Sequence, residues 1–145
     1  RRHIHMAAND VLQATIPLAS DLSVKNTEGS ADIAINTVVK LDASNLVSAT
    51  QPYPGVVIAT TDDVALGVTI EAIPNGKVGR IRPIGVVTCI CSAAITAGAQ
   101  VQASTVGKVK TLVAAKPQVG QALTTTTTDG DRLLVLLNGL GAKNA

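Results

Sequence analysis

This sequence has no Trp and no Phe, and Tyr53 is its one aromatic residue among 145. Carbohydrate sites usually stack sugar rings on Trp or Tyr. A single Tyr between Pro52 and Pro54 reads instead as a loop-packing side chain. Single-stranded nucleic acid loses its stacking platform for the same reason. Both histidines, His3 and His5, stand at the very start, so the remainder has no imidazole for acid–base work. No Gly-x-Ser-x-Gly elbow and no phosphate-cradling glycine loop is present. The two cysteines, Cys89 and Cys91, lie two positions apart in an apolar run. On a strand they share a face at about 6.5–7 Å separation, beyond the usual reach of a disulfide. Zinc would need further Cys or His, so they read as small core or interface residues.

Charge is also scarce, at 15% of residues. Residues 1–6, Arg-Arg-His-Ile-His-Met, read as a tag remnant, with Met6 a plausible natural start. Setting residues 1–5 aside removes Arg1 and Arg2 and leaves 10 Lys+Arg against 10 Asp+Glu. A neutral chain has no general pull toward nucleic acid. Asp10 interrupts the region where a signal peptide would be apolar. The longest uncharged stretch, Pro83–Gly107, contains Gly, Thr, Ser and Gln and reads as strands and turns, not a membrane helix. Synthesis in the cytoplasm is the expectation.

What remains is aliphatic and β-branched. Val, Ile and Thr make up 45 of the 145 residues, a strand-favouring composition. A mean hydropathy of +0.34 with so few charges suggests surface buried against other subunits or a larger partner. One pattern occurs twice. Gly67–Arg82 carries Asn75-Gly76 between two β-prone runs, and Gly120–Leu137 carries Asp129-Gly130 in the same place. Such dipeptides between β-prone runs predict type I′ hairpins. A single pair of copies is too little for a solenoid and predicts a pseudo-two-fold repeat within one sandwich.

Along the chain, residues 7–30 read as a polar N-terminal arm with a short strand near Thr15–Leu18. Residues 31–138 read as the β-domain and 139–145 as a tail. Ile33, Ile35, Thr37, Val39 and Leu41 alternate with their neighbours, predicting one half-buried strand. Thr124–Thr128 predicts a solvent-washed or interface strand. Leu133–Leu137 is apolar on both faces and reads as a strand buried centrally or between subunits. Short strands at intervals of roughly 8–12 residues suggest a sandwich or small barrel.

Candidate chemistry is sparse. Asp62 and Asp63, like Asp129 and Asp131, fit turns better than a metal site, since calcium needs more oxygen ligands than these stretches offer. A small metal-using enzyme or accessory domain built on them remains an alternative. Lys77, Arg80 and Arg82 form a basic hairpin arm, and Lys108, Lys110 and Lys116 a second basic stretch. They read as solvated strand faces or as contacts for an acidic protein surface.

Taken together, Val56–Thr60, Ala65–Ala72, Asn75–Val87, Ala94–Val101, Gly120–Leu123 and Asp129–Leu137 resemble the head decoration (capsid cement) proteins of tailed bacteriophages. The resemblance runs over about residues 38–137. It implies an all-β fold, a small sandwich or tulip-like barrel built of hairpins with an extended N-terminal arm. It also implies a homotrimer on the outside of an expanded head, bridging major capsid subunits, without enzymatic activity, cofactor, metal, direct nucleic-acid binding or membrane attachment. The arm of such proteins would map to about Ala7–Asn26, with Asn9, Asp10, Val11, Leu12, Thr15 and Ile16 as candidate capsid-binding residues. Lys77, Arg80 and Arg82 are the candidate basic contact surface. The competing expectation is a β-rich binding or adhesion module of a virion fibre or surface protein.

Overall fold

Gly, Pro, Asn and Asp punctuate the β-branched runs, and the ten strands among the described residues hold three to six residues each. The computed structural model describes residues 21–137. Five strands close into a barrel in the order β1-β3-β2-β4-β5: β1 (Leu22–Asn26), β2 (Val38–Leu41), β3 (Gly55–Ile58), β4 (Gly67–Thr69) and β5 (Val78–Arg82). Five more form a second sheet in the order β6-β10-β9-β7-β8: β6 (Gly85–Ile90), β7 (Gln100–Ala103), β8 (Val109–Thr111), β9 (Gly120–Ala122) and β10 (Arg132–Leu137). The fold is all-β, as the composition predicts.

The two units are copies of one another. In the first, β5 pairs antiparallel with β1 and β4, β2 pairs with β4 and β3, and β1 runs parallel to β3. In the second, β10 pairs with β6 and β9, β7 pairs with β9 and β8, and Cys91 bridges Val109 in parallel. Bonds outside the strands recur too. Ile33 and Ile73 exchange both backbone hydrogen bonds, and so do Ile95 and Thr126. Gly76 N–H donates to the Asn26 carbonyl at 3.0 Å, and Gly130 N–H donates to the Cys91 carbonyl at 2.9 Å. The repeat expected inside one sandwich is therefore a tandem of two five-stranded units.

Both glycine hairpins form, pairing Thr69 with Ile81 and Ala122 with Val135. Their turns differ from the expected type I′. Gly76 has φ 77° and Gly130 φ 95°, whereas Asn75 and Asp129 stay out of the left-handed region, a type II pattern. The turns do not join paired strand ends directly. Ile73 and Thr126 first swing across to their bridge partners, so strand twist does not select the primed turn. Thr124–Thr128 accordingly supplies a buried bridge at Thr126 in place of the expected strand.

Two further expectations change. The run from Ile33 to Leu41 breaks at Asn36, whose φ of 68° is a conformation Asn tolerates better than most residues. Only Val38–Leu41 is strand, and Ile35 and Leu41 are exposed. Leu22–Asn26, placed in the arm by its polarity, is β1 and lies between β3 and β5. Asn26 is fully buried, and its Nδ2 donates to the carbonyls of Ala31 and Ile73, both at 2.9 Å. The expected strand at Thr15–Leu18 and the tail lie outside the described residues.

Val24, Ile33, Val39, Val56, Ile73 and Ile81 fill the first barrel. Val38, Ala59 and Val68 instead join the core of the second unit, beside Cys89, Cys91, Ile95 and Val135. Both Val38 and Val39 are buried because one faces its own barrel and the other the neighbouring unit. Each fully buried aliphatic side chain contributes roughly 1.5–3 kcal/mol, so this shared layer holds the units together. Polar groups seal it. Gly107 N–H donates to the Ala59 carbonyl at 2.8 Å, and a Cβ there would collide with the Thr37 methyl group. The buried Gln102 donates to Asp62 at 2.7 Å and accepts from Val113 N–H at 2.8 Å.

The Asn26 side chain gives the first expectation. Asn26→Ala removes the Nδ2 bonds to the Ala31 and Ile73 carbonyls and the Oδ1 bond from Glu28 N–H, and should lower unfolding free energy by about 1–3 kcal/mol in urea titrations. A loss below about 0.5 kcal/mol, the level of an ordinary surface change, contradicts this role for the side chain.

Candidate functional site

Strand β5 alternates Val78, Arg80 and Arg82 outward with Gly79 and Ile81 inward. Lys77 sits exposed just before it. The three basic residues expected as a contact surface therefore share one strand but differ in freedom. Arg82 is tied down: its Nε donates to Asp21 at 3.0 Å and its Nη1 to the Val86 carbonyl at 3.1 Å, clasping β5 to β6. Arg80 meets Glu71 at 3.5 Å in an exposed pair, an arrangement worth at most about 1 kcal/mol. Of the second basic stretch, Lys108 pairs with Asp129 at 2.9 Å and Lys116 with Asp62 at 3.1 Å. Asn9, Asp10, Val11, Leu12, Thr15 and Ile16 lie outside the described residues.

The carboxylates do structural work. Lys116, then Gln102, holds the Asp62 carboxyl below the usual carboxylate range. The amide N–H groups of Thr127 and Thr128 do the same for Asp131 by capping its turn. Asp42 is lowered first by the Thr27 hydroxyl at 2.6 Å, then by Asn45 Nδ2 at 2.7 Å. Among the described residues no group of three or more His, Cys, Asp or Glu side chains converges as a metal site. Cys89 and Cys91 are free thiols buried in the second core, and burial pushes Cys89 up to about 12. A thiol held protonated in this way is a poor nucleophile.

The remaining distinctive surface is apolar. On β10, Leu133, Val135 and Leu137 point inward, while Leu134 and Leu136 are each 42% exposed. Val86 lies directly opposite Leu136 on β6, and Leu123 N–H bonds the Leu134 carbonyl from the other side. A shallow groove of about 380 Å³ runs over Thr88, Thr124, Thr125, Arg132, Leu133 and Leu134 on the same face. Leucine on both faces of β10 was the sequence signal for this surface. The structure resolves it into a core face and a solvent face.

The described surface thus offers strand faces and loops. Residues 19–137 match the phage cement protein family. The chain belongs to that family. The matched span takes in both five-stranded units, so this cement protein decorates and stabilises a phage capsid with a barrel and a second five-stranded unit of the same strand pairing. The fold is similar to the N base of the head fibre gp8.5 of bacteriophage phi29, with a TM-score of 0.64 and 10% sequence identity. That alignment covers 86% of this chain and 98% of the fibre-base chain. At such identity the likeness is one of fold. No curated protein sequence matches the chain. Among the described residues no helix is long and apolar enough to cross a membrane.

The lowered carboxylates set a pH dependence. A folded-state value below the unfolded one, which is about 3.9 for Asp, gives stability that is present above that value and lost as pH falls through the folded one. The thermal midpoint should hold steady from about pH 7 to 5 and fall below about pH 4, with a shallower acid fall in Asp42→Asn. Scanning calorimetry across that range checks it. A midpoint that rises on acidification contradicts the assignment.

Proposed function

We propose that the chain is a non-enzymatic decoration protein that binds the outside of an expanded phage head as a homotrimer. It stabilises the head by bridging major capsid subunits. Family membership across both units carries this reading. The rest of the molecule supports it. The side chains with chemical potential, Asp62, Asp131, Cys89 and Cys91, are committed to turns, the unit junction or the core. A bridging protein needs stiff strands and displayed contact surfaces, which the shared core supplies.

The outward face of β10 and β6 suits self-association. Leu134, Leu136 and Val86 would become the apolar centre of an interface with a polar rim of Thr88, Thr124 and Arg132. A trimer presents each shell contact three times, which raises avidity over a single contact without new chemistry. Lys77 and Arg80 remain as charged contributions to shell contact, and residues 7–20 as a capsid-binding arm. The likeness to a head-fibre base gives the fibre-module reading its support, and that reading predicts binding through a different end of the protein to a receptor or fibre shaft.

Sedimentation with expanded, undecorated heads should carry the protein into the pellet. Recovery in the supernatant with every head tested contradicts the proposal. Light scattering should report three times the 14.7 kDa of one chain, falling toward one chain in Leu134→Lys/Leu136→Lys. An unchanged mass in that variant removes β10 from the interface.

A further inference from the structure

The duplication allows one half of the molecule to serve as a control for the other. In the second unit, β7 and β8 are joined by five residues, 104–108. In the first unit, the equivalent strands β2 and β3 are joined by thirteen, 42–54. The fold needs only the short connection, so the additional residues have some other use. Long connections in small domains are most often functional.

This loop is held rigidly. Asp42 accepts from Ser44 N–H at 3.0 Å, from Asn45 Nδ2 and from the Thr27 hydroxyl. Gly55 N–H donates to the Asn45 carbonyl at 2.8 Å, and Gln51 Nε2 reaches the same carbonyl at 2.9 Å. Ser48 and Gln51 exchange backbone hydrogen bonds at the tip. Asn45 folds back over β3, where a Cβ at position 55 would stand only 2.7 Å from the Asn45 Cβ. A framework this well bonded nevertheless exposes Leu46 (53%), Val47 (59%) and Tyr53 (40%), the one aromatic side chain of the protein. From Ala43 to Pro54 there is no charged residue.

The surroundings continue the surface. Lys25 N–H donates to the Pro54 carbonyl at 2.9 Å, and Lys25 pairs across to Val78, itself 47% exposed. Lys77 comes next along the chain. The loop knob is thus flanked on its β1–β5 side by Lys25, Val78 and Lys77. Glu28, further along this end of the barrel, is tied to the amide N–H of Ile58. Preorganised apolar and aromatic side chains with charge at the edge are what a protein interface concentrates its binding energy in. Phosphate backbones would call for a denser basic patch.

We propose that the 42–54 loop, which displays Leu46, Val47 and Tyr53, docks onto the capsid shell. The complementary patch on the shell protein is an uncharged apolar depression with an acidic flank facing Lys25 and Lys77. The inference rests on the capsid-binding reading above. It separates the shell contact, on the first barrel, from self-association, on β10 of the second unit.

Because Tyr53 is the sole tyrosine, nitration read by peptide mass spectrometry reports on the loop without any mutation. Tyr53 should nitrate readily in free protein and be protected on heads. The variant Leu46→Ser/Val47→Ser/Tyr53→Ser should keep its light-scattering mass and thermal midpoint while losing at least about tenfold in head affinity, the scale of a hot-spot cluster. Lys77→Glu should weaken binding further at low salt than at high salt. If the parent protein binds heads but Tyr53 nitrates equally in both states, or the triple variant binds undiminished, the loop assignment falls and the capsid-binding reading stands. If the triple variant changes mass, the loop belongs to self-association and the proposal is overturned. If the parent fails to bind heads, both readings fall.

Discussion

The apolar layer in which Val38, Ala59 and Val68 of the first barrel enter the core of the second unit is the constraint on which the rest of the structure depends. Five strands make a narrow unit and lengths of three to six residues make a short one, so each unit encloses little apolar volume. This explains why the chain can lack Trp and Phe: Val, Ile, Leu, Ala and Cys fill the available space. It also explains why the units occur as a pair. Neither interior is large, and β2 buries both of its faces only when the second unit is present. Gln102, Asp62 and Lys116 then satisfy the polar edge of that layer.

A fused pair has a mechanical consequence. The outer faces of the two units are fixed relative to one another by the shared core and by the Arg82 clasp between β5 and β6. Rigid display suits a protein whose task is to hold a shell together, because little conformational entropy is lost when it binds. Duplication also allowed the copies to diverge where the fold permits. At equivalent places one unit has Asn26 and the other Cys91, one buried amide and one buried thiol, each hydrogen-bonded to a carbonyl. The connection after β2 diverged in length, and that is the difference with functional content.

Much of this was legible in the sequence, for reasons that particular residues make plain. β-branched composition and the Asn75-Gly76 and Asp129-Gly130 signals carry both hairpins, because positive φ at glycine is a local requirement. The two-sided apolarity of β10 is visible as five consecutive Leu and Val. The four-fold recurrence of a bridge followed by a left-handed residue was hidden. Asn36 and Gly98 fill the same position as Gly76 and Gly130, but only two of the four carry the expected dipeptide, Asn75-Gly76 and Asp129-Gly130. β1 was missed because Lys25 and Asn26 look polar, and a buried Asn identifies itself only once its carbonyl partners are in place. Arg82 looked like a free cation because its acceptors, Asp21 and the Val86 carbonyl, are brought to it by tertiary structure. The loop at 42–54 carries no motif, and it becomes visible only when the second unit shows how short that connection can be.

Electron cryo-microscopy of expanded heads decorated with this protein tests the central claim most directly. The account predicts density on the outer surface of the shell, two five-stranded units per chain, with the β2–β3 loop of the first barrel against the shell and the β10 faces of neighbouring chains against one another. Absence of external density, or density in which the second unit meets the shell while the 42–54 loop points to solvent, would contradict it.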